Sequence, residues 1–146
     1  MPKTLSDLPR YEELERFLNK LLKEKGDEIE FVVLFGSMAR GDWSQYSDYD
    51  LLIGLRREDG RRLIDRISEF DAFVEGEIDV FPYSRSEWRW MFKEYHPLLL
   101  EALEYGLILW DRGAFGEMLK LFRRRRSEGV VSPWKSGWKI SLPDKH

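Results

Sequence analysis

The chain has 146 residues and a mass of 17.5 kDa, the size of one compact domain, which excludes a large multidomain enzyme. It contains no cysteine, so disulfide scaffolds, cysteine-ligated zinc, iron–sulfur clusters and thiol nucleophiles are excluded. The 27 acidic residues and 24 lysines and arginines leave a net charge of −3, which does not favour a protein that coats nucleic acid. Because no apolar run approaches the roughly 18 residues of a membrane helix, we expect a cytoplasmic protein without membrane contact.

Apolar spacing predicts the secondary structure of the N-terminal half. Apolar residues at the spacing of one helical face indicate helices, and short, uniformly apolar runs indicate buried strands. The predicted elements in chain order are a helix over Tyr11–Lys25, a buried strand over Glu30–Phe35, a second strand over Leu51–Ile53, a helix between Arg61 and Val74 and a strand over Ile78–Phe81. A strand, a crossover helix and a strand in this order predict a small mixed β-sheet with helices packed on it, an α/β (α+β) fold.

The C-terminal half is predicted to be mostly helical. Its predicted elements are helices over Ser84–Tyr95, Pro97–Tyr105 and Ala114–Arg126, with an edge strand over Leu107–Trp110. We expect residues 1–126 to form the domain and residues 127–146 to form a C-terminal tail. Trp134 and Trp138 in this tail are candidates for a docking surface, and the alternative is that the tail folds back onto its own domain.

The segment from Phe35 to Ile53 places glycine, serine and acids between two apolar runs. It reads Phe-Gly-Ser-Met-Ala-Arg-Gly-Asp-Trp-Ser-Gln-Tyr-Ser-Asp-Tyr-Asp-Leu-Leu-Ile. Gly36 and Ser37 directly follow the predicted buried strand and are expected to open a short helical turn, whose backbone N–H groups and serine hydroxyl can face an anion. A small residue at this point lets a phosphate approach the backbone.

Carboxylates form the second part of this pattern. Asp48 and Asp50 are two residues apart, so on a strand they project to the same face. The two carboxylates repel each other, so we expect the pair to bind a proton or a hard cation such as Mg²⁺. Asp79 is the candidate third acid, because its apolar neighbours on the predicted strand are expected to bury it. Glu77 is the alternative, at the strand entrance where exposure is expected.

These features combine into a pattern that resembles that of the polymerase-beta-like nucleotidyltransferase superfamily. The pattern consists of Gly36-Ser37, a ten-residue spacer, Asp48-Tyr-Asp50 and a strand acid at Asp79. The strings Gly-Ser-Met-Ala-Arg-Gly and Ser-Asp-Tyr-Asp-Leu are similar to those of its small prokaryotic branch, the minimal nucleotidyltransferases. The resemblance is strongest over residues 31–53, fits the order of residues through Phe81 and is weaker over residues 96–111. It implies the nucleotidyltransferase fold.

The resemblance also implies roles for individual residues. The residues implied in binding the phosphates of a nucleoside triphosphate are Gly36, Ser37 and Arg40. The residues implied both as catalytic groups and as ligands of two Mg²⁺ ions are Asp48, Asp50 and Asp79, of which the last would help to deprotonate an attacking hydroxyl. The alternative for Arg40 is an exposed helix residue without a functional role. The implied reaction transfers a nucleotide, AMP from ATP, to an acceptor and releases pyrophosphate.

The implied partner is a small all-helical HEPN protein, because members of this branch are commonly encoded beside one and act with it as antitoxin and toxin. A catalytic core this short leaves little room to recognise an acceptor, so a partner must supply it. Two functions follow: a transferase that modifies the toxin or another macromolecule, and a non-catalytic antitoxin that neutralises its partner by forming a complex. The intact acidic residues favour the first.

Two basic features suggest nucleic-acid binding as an alternative. The run Arg123–Arg126 could contact RNA, but cations are favoured at a helix C-terminus, and a solvated helix end is the better interpretation. Arg89 and His96 match the Arg-to-His spacing of the HEPN ribonuclease motif, but His96-Pro97 also fits a helix junction of the transferase branch. We therefore expect no stable nucleic-acid partner.

Overall fold

A four-stranded sheet with helices on both faces forms the centre of the molecule. The computed structural model describes residues 5–141. Its helices are α1 (Tyr11–Lys25), α2 (Ser37–Arg40), α3 (Leu63–Asp71), α4 (Arg85–Lys93), α5 (Pro97–Tyr105) and α6 (Ala114–Ser127). Its strands are β1 (Ile29–Phe35), β2 (Tyr49–Leu55), β3 (Ile78–Tyr83), β4 (Leu107–Asp111), β5 (Val131–Trp134) and β6 (Gly137–Ile140). Every element predicted from the sequence is present, with the second strand longer than predicted at both ends.

The strand order in the sheet is β3-β2-β1-β4. β1 runs antiparallel to both β2 and β4, whereas β2 and β3 are parallel. A parallel pair needs a crossover connection, and α3 supplies it between β2 and β3. The predicted mixed sheet and the predicted edge strand β4 are therefore confirmed.

Two hydrophobic layers cover the sheet. On one face, α1 and α3 pack over inward residues such as Val32 and Leu51. On the other face, α4, α5 and α6 pack over Phe31 and Leu52. Successive residues of a strand alternate between the two faces. The layer that each polar side chain at a strand end faces can therefore be deduced from its apolar neighbours on the same strand.

Arg66 of α3 is a buried charge that joins β3 to α4. Its guanidinium donates to the carbonyl oxygen of Pro82 at 2.8 Å and to the Glu87 carboxylate at 2.7 Å. Glu87 also accepts a bond of 2.8 Å from the backbone N–H of Ser84 and completes a capping box at the start of α4. These bonds hold the end of β3, the strand that carries Asp79.

The residues after α6 form an antiparallel hairpin of β5 and β6. Val131, the first residue of β5, is buried, and the Trp138 ring packs edge-on against Phe122 with the ring centroids 6.1 Å apart. Trp134 is 54% exposed. Trp138 thus packs against its own chain, while a docking role for this segment stays a prediction. Residues 142–146 of the predicted tail lie outside the described residues.

Within residues 5–141, no helix combines the length and the apolar character needed to cross a membrane.

Candidate active site

Three of the predicted site residues, Gly36, Asp50 and Asp79, meet at the end of the sheet where β1 stops and β2 begins. Asp50, the second residue of β2, is paired in register with Phe35 of β1 on one side and with Asp79 of β3 on the other. Paired residues of neighbouring strands project to the same face. Asp50 and Asp79 are in phase with Leu52 and so adjoin the layer of α4, α5 and α6.

Gly36 lies directly against the Asp50 carboxylate. A Cβ atom built on Gly36 would be 2.2 Å from Oδ2 of Asp50, and the φ of Gly36 is 77°. Both the contact and the left-handed backbone require glycine at this position. The sharp turn from β1 into α2 therefore brings the backbone next to the acids.

The surroundings of Asp50 oppose its ionisation. Burial, followed by the negative charges of Asp79, Asp48 and Glu101, raises the pKa of Asp50 to about 6, and the cation of Arg40 acts in the opposite direction. A carboxyl shielded from water among like charges is stabilised when a cation binds beside it. This electrostatic arrangement is typical of functional sites.

The expectation that Asp79 is buried is wrong. Its side chain is exposed rather than buried, because Ile78 and Val80 alternate with it and point into the opposite hydrophobic layer. Partial shielding from water and the nearby Asp48 carboxyl, which is within hydrogen-bonding reach, both raise the pKa of Asp79. Glu77, the alternative acid, is exposed and precedes β3, whereas Asp79 is paired with Asp50.

The predicted turn after β1 is the four-residue helix α2, which begins at Ser37 and ends at Arg40. Arg40 forms ion pairs with Asp42, at 3.3 Å, and with Glu101 of α5. The guanidinium is close enough to lower the pKa of Asp50 but is already engaged by two carboxylates. To bind a phosphate, Arg40 would have to exchange at least one of these partners for the ligand.

Arg10 anchors the loop that leads to Asp48, a contact that the sequence does not predict. Its guanidinium donates to the backbone carbonyl of Gln45 at 2.6 Å and to that of Ser47. Beside it, the hydroxyl of the buried Tyr49 donates to the carbonyl of Pro9 at 2.7 Å. The residues just before α1 thus fix the loop on which Asp48 lies.

The carboxylates at this end of the sheet are oxygen donors, which fit a hard divalent cation. They meet in pairs, Asp50 with Asp79 and Asp79 with Asp48. In the described part of the chain, no three carboxylate or imidazole side chains are grouped closely enough to hold a metal ion together. Coordination by all three acids stays a prediction.

The fold and these residues define a nucleotidyltransferase. The model of the family described as "Polymerase beta, Nucleotidyltransferase" matches residues 17–96, more than half of the chain. The matched region begins within α1, includes the acids and ends just after α4. The chain therefore belongs to this family. Its members generally use a nucleoside triphosphate and a divalent metal.

Individual relatives agree with this assignment. A protein of Methanocaldococcus jannaschii named "Putative protein adenylyltransferase MJ1305" is 32% identical over 138 residues, which cover 88% of this chain and 92% of that protein. A crystal structure described as a "putative nucleotidyltransferase" from Sulfolobus solfataricus has a TM-score of 0.53 at 22% identity and covers 69% of this chain and 79% of that one. A structure described as "the toxin-antitoxin with AMP-PNP" has a TM-score of 0.51 at 15% identity, over 78% and 87% of the two chains. The two structures show that the fold is shared.

Proposed function

We propose that the protein transfers AMP from ATP to a hydroxyl group of a partner protein or another macromolecule, with Mg²⁺ as the metal. The observation that carries this proposal is the in-register pairing of Asp50 with Asp79 beside the glycine turn at Gly36. Two acids and the glycine turn are thereby brought to one end of the sheet. The identity to a protein named as an adenylyltransferase supports AMP as the transferred group.

The proposed roles follow from these positions. Backbone N–H groups of the turn at Gly36 and Ser37 hold the terminal phosphates, with Arg40 as an additional cation. Asp48, Asp50 and Asp79 would hold two Mg²⁺ ions, which would supply positive charge to the attacking and leaving oxygens.

In the proposed reaction, the acceptor hydroxyl oxygen bonds to the α-phosphorus while the bond from that phosphorus to the pyrophosphate oxygen breaks. Asp79 takes the proton of the hydroxyl, and pyrophosphate leaves with the electron pair of the broken bond. Its exposed position at the sheet edge makes Asp79 accessible to an acceptor that arrives from solvent. An acceptor that presents a hydroxyl at this edge would meet the exposed Asp79 directly.

The proposed partner is a small all-helical toxin of the HEPN class, which the protein would modify as an antitoxin. The support is the fold shared with the chain of the toxin–antitoxin structure that contains AMP-PNP, together with the resemblance of the motifs to the minimal nucleotidyltransferases. An enzyme that modifies the toxin can neutralise many toxin molecules in turn. An antitoxin that acts by forming a complex must instead stay bound to each toxin molecule.

The test is label transfer from ATP into macromolecules of a source-cell extract. With Mg²⁺, we expect label from α-labelled ATP and none from γ-labelled ATP, since nucleotidyl transfer retains the α-phosphorus. Asp50→Asn and Asp79→Asn are each expected to reduce the transfer roughly a hundredfold or more, because each removes charge next to the reacting phosphate. Mass spectrometry of the labelled product then identifies the nucleotide and the acceptor.

Glu77→Gln is the matched control, since it neutralises an exposed acid two residues before Asp79 and outside the pair with Asp50. It should retain transfer close to that of wild type. Label from γ-labelled ATP, or full activity of Asp50→Asn, would contradict the proposal. If a variant with both Asp48→Asn and Asp50→Asn still protects cells from the toxin as wild type does, catalysis does not explain the antitoxin effect.

A further inference from the structure

A cavity of about 580 Å³ adjoins the candidate active site. Three parts of the chain enclose it: the junction of β1 and α2, one side of α5, and the turn of the β5–β6 hairpin. The family match ends at residue 96, so α5 and the hairpin lie outside the matched region. Most of the cavity lining therefore lies outside the region that the family model matches.

The position of the cavity connects it to the phosphate turn. Phe35, which lines it, immediately precedes Gly36, and Arg40 lines it from the end of α2. Glu101, also in the lining, pairs with Arg40, and both charges act on the ionisation of Asp50. One end of the cavity thus begins where the phosphates of a nucleotide are proposed to bind.

The lining of the other end combines aromatic surface with a cation. Trp138 and Tyr105 face the cavity from the hairpin and from α5, and Lys135 lies in the hairpin turn. Trp138 is held in place by its edge-on contact with Phe122. Stacking on an aromatic ring contributes about 1–3 kcal/mol per base and accepts any base. The volume falls in the range of roughly 300–1,000 Å³ that is usual for sites of small ligands.

We propose that this cavity binds the nucleoside part of the nucleoside triphosphate, with Trp138 and Tyr105 as the base-contacting side chains. The inference rests on the proposed function, because it assumes that the phosphates bind at the Gly36–Ser37 turn. The hairpin then acts as the nucleoside-recognition element, and Lys135 in its turn borders the same cavity. A hydroxyl acceptor is less well matched, since it carries no phosphate to place beside Arg40.

Two ligands separate the contribution of the nucleoside from that of the phosphates. Titration calorimetry with Mg²⁺ measures the binding of ATP and, separately, of inorganic tripolyphosphate. We expect Trp138→Ala and Tyr105→Ala each to weaken ATP binding about tenfold or more, which corresponds to the loss of one stacking contact. Tripolyphosphate, which has no base, should bind to both variants as it binds to wild type.

Trp134→Ala is the matched control, because Trp134 lies on the same hairpin, is exposed and does not line the cavity. It should bind ATP like wild type. Tyr105→Ala lies outside the hairpin, so it tests the proposal even if Trp138→Ala disturbs the packing on Phe122. Far-ultraviolet circular dichroism of each variant checks that the fold is retained.

Three other outcomes would overturn the inference, and a fourth would also overturn the proposed function. If wild type binds ATP but both cavity variants bind it equally well, the nucleoside lies elsewhere and the proposed function stands. A parallel loss of ATP and tripolyphosphate binding would show that the substitutions act on the phosphates. If the variants bind ATP like wild type but show an increased KM for the acceptor in the label-transfer assay, the cavity is an acceptor site. If wild type binds no nucleotide at all, the proposed function fails together with the inference.

Discussion

Asp50 is a carboxyl group whose ionisation the fold opposes. Gly36 closes one side of it, Asp79 lies beside it on β3, and Asp48 and Glu101 add negative charge. A half-buried carboxyl group among like charges lowers the stability of the ligand-free protein and favours the binding of a cation. The free energy that the fold loses at this residue is therefore expected to be recovered when a metal binds.

The stability of the metal-free protein should report this conflict. The pKa of Asp50 is raised from 3.8 to about 6, so between these pH values the unfolded chain loses its proton first and the folded state loses relative stability as the pH rises. Asp50→Asn removes this penalty. We expect it to be more stable than wild type by about 1–2 kcal/mol above pH 6, and the difference to disappear below about pH 4.

Urea unfolding in the presence of a chelator, at several pH values between 3.5 and 8, measures the difference. Asp42→Asn, at an exposed acid that pairs with Arg40, serves as a control for the removal of one negative charge. A variant Asp50→Asn that is less stable than wild type at pH 8 would show that the surroundings of Asp50 favour the carboxylate.

At the scale of elements, the site depends on contacts between segments that are distant in sequence. The loop between α2 and β2 carries Asp48 and is held by Arg10, which lies 35 and 37 residues before its two acceptors. β3 is held in turn by the buried Arg66 of α3. Arg10, just before α1, and Arg66 of α3 thus position the segments that carry Asp48 and Asp79.

Removal of the Arg10 side chain should loosen this loop. We expect Arg10→Ala to lower nucleotide transfer roughly tenfold or more, since displacement of a reacting group by about 1 Å has effects of this size or larger. The free energy of unfolding should fall by only about 1–2 kcal/mol, because the lost hydrogen bonds are partly exposed. Label transfer and urea unfolding measure the two effects.

Arg16→Ala is the matched control, since Arg16 lies on α1 six residues after Arg10, is exposed and pairs with Glu75 at 3.4 Å, away from the loop. It should leave transfer unchanged. If Arg10→Ala also transfers the nucleotide at the wild-type rate, the loop holds Asp48 without this anchor.

At the scale of the whole molecule, a chain with a net charge of only −3 concentrates several acids at one end of its sheet. The helices cover both faces of the sheet but leave this end accessible to solvent. The acids there remain close to one another, and their charges repel. A divalent cation with a nucleotide would neutralise them, and binding to the folded state alone raises the stability of the whole chain.

Thermal unfolding should therefore respond to Mg²⁺ and ATP together. At a ligand concentration ten times Kd, the added stability is about 1.4 kcal/mol, which corresponds to an increase in Tm of roughly 3–6 °C for a chain of this size. A variant with both Asp50→Asn and Asp79→Asn should lose most of this increase. ATP with a chelator is the control, and an equal shift in wild type and the double variant would place the metal–nucleotide complex elsewhere.

Much of the fold and part of the site follow from local patterns. Helical spacing predicts α1 and α6, the uniformly apolar run predicts β1, and the glycine and acid spacing predicts the residues that surround Asp50. These features depend on residues close in sequence. The exposure of Asp79 was also encoded locally, since strict alternation with Ile78 and Val80 places it on the other face, although its apolar neighbours suggested burial.

The sequence by itself determined the class of fold, the family and the acids at the end of the sheet, because backbone periodicity and short motifs act over a few residues. Only the tertiary structure decided that Arg10 holds the loop before Asp48, that Glu101 engages Arg40 across 61 residues, and that the hairpin closes a cavity beside the phosphate turn. The physical reason is that such contacts depend on how the helices pack on the two faces of the sheet. No local pattern specifies which distant side chain then meets which.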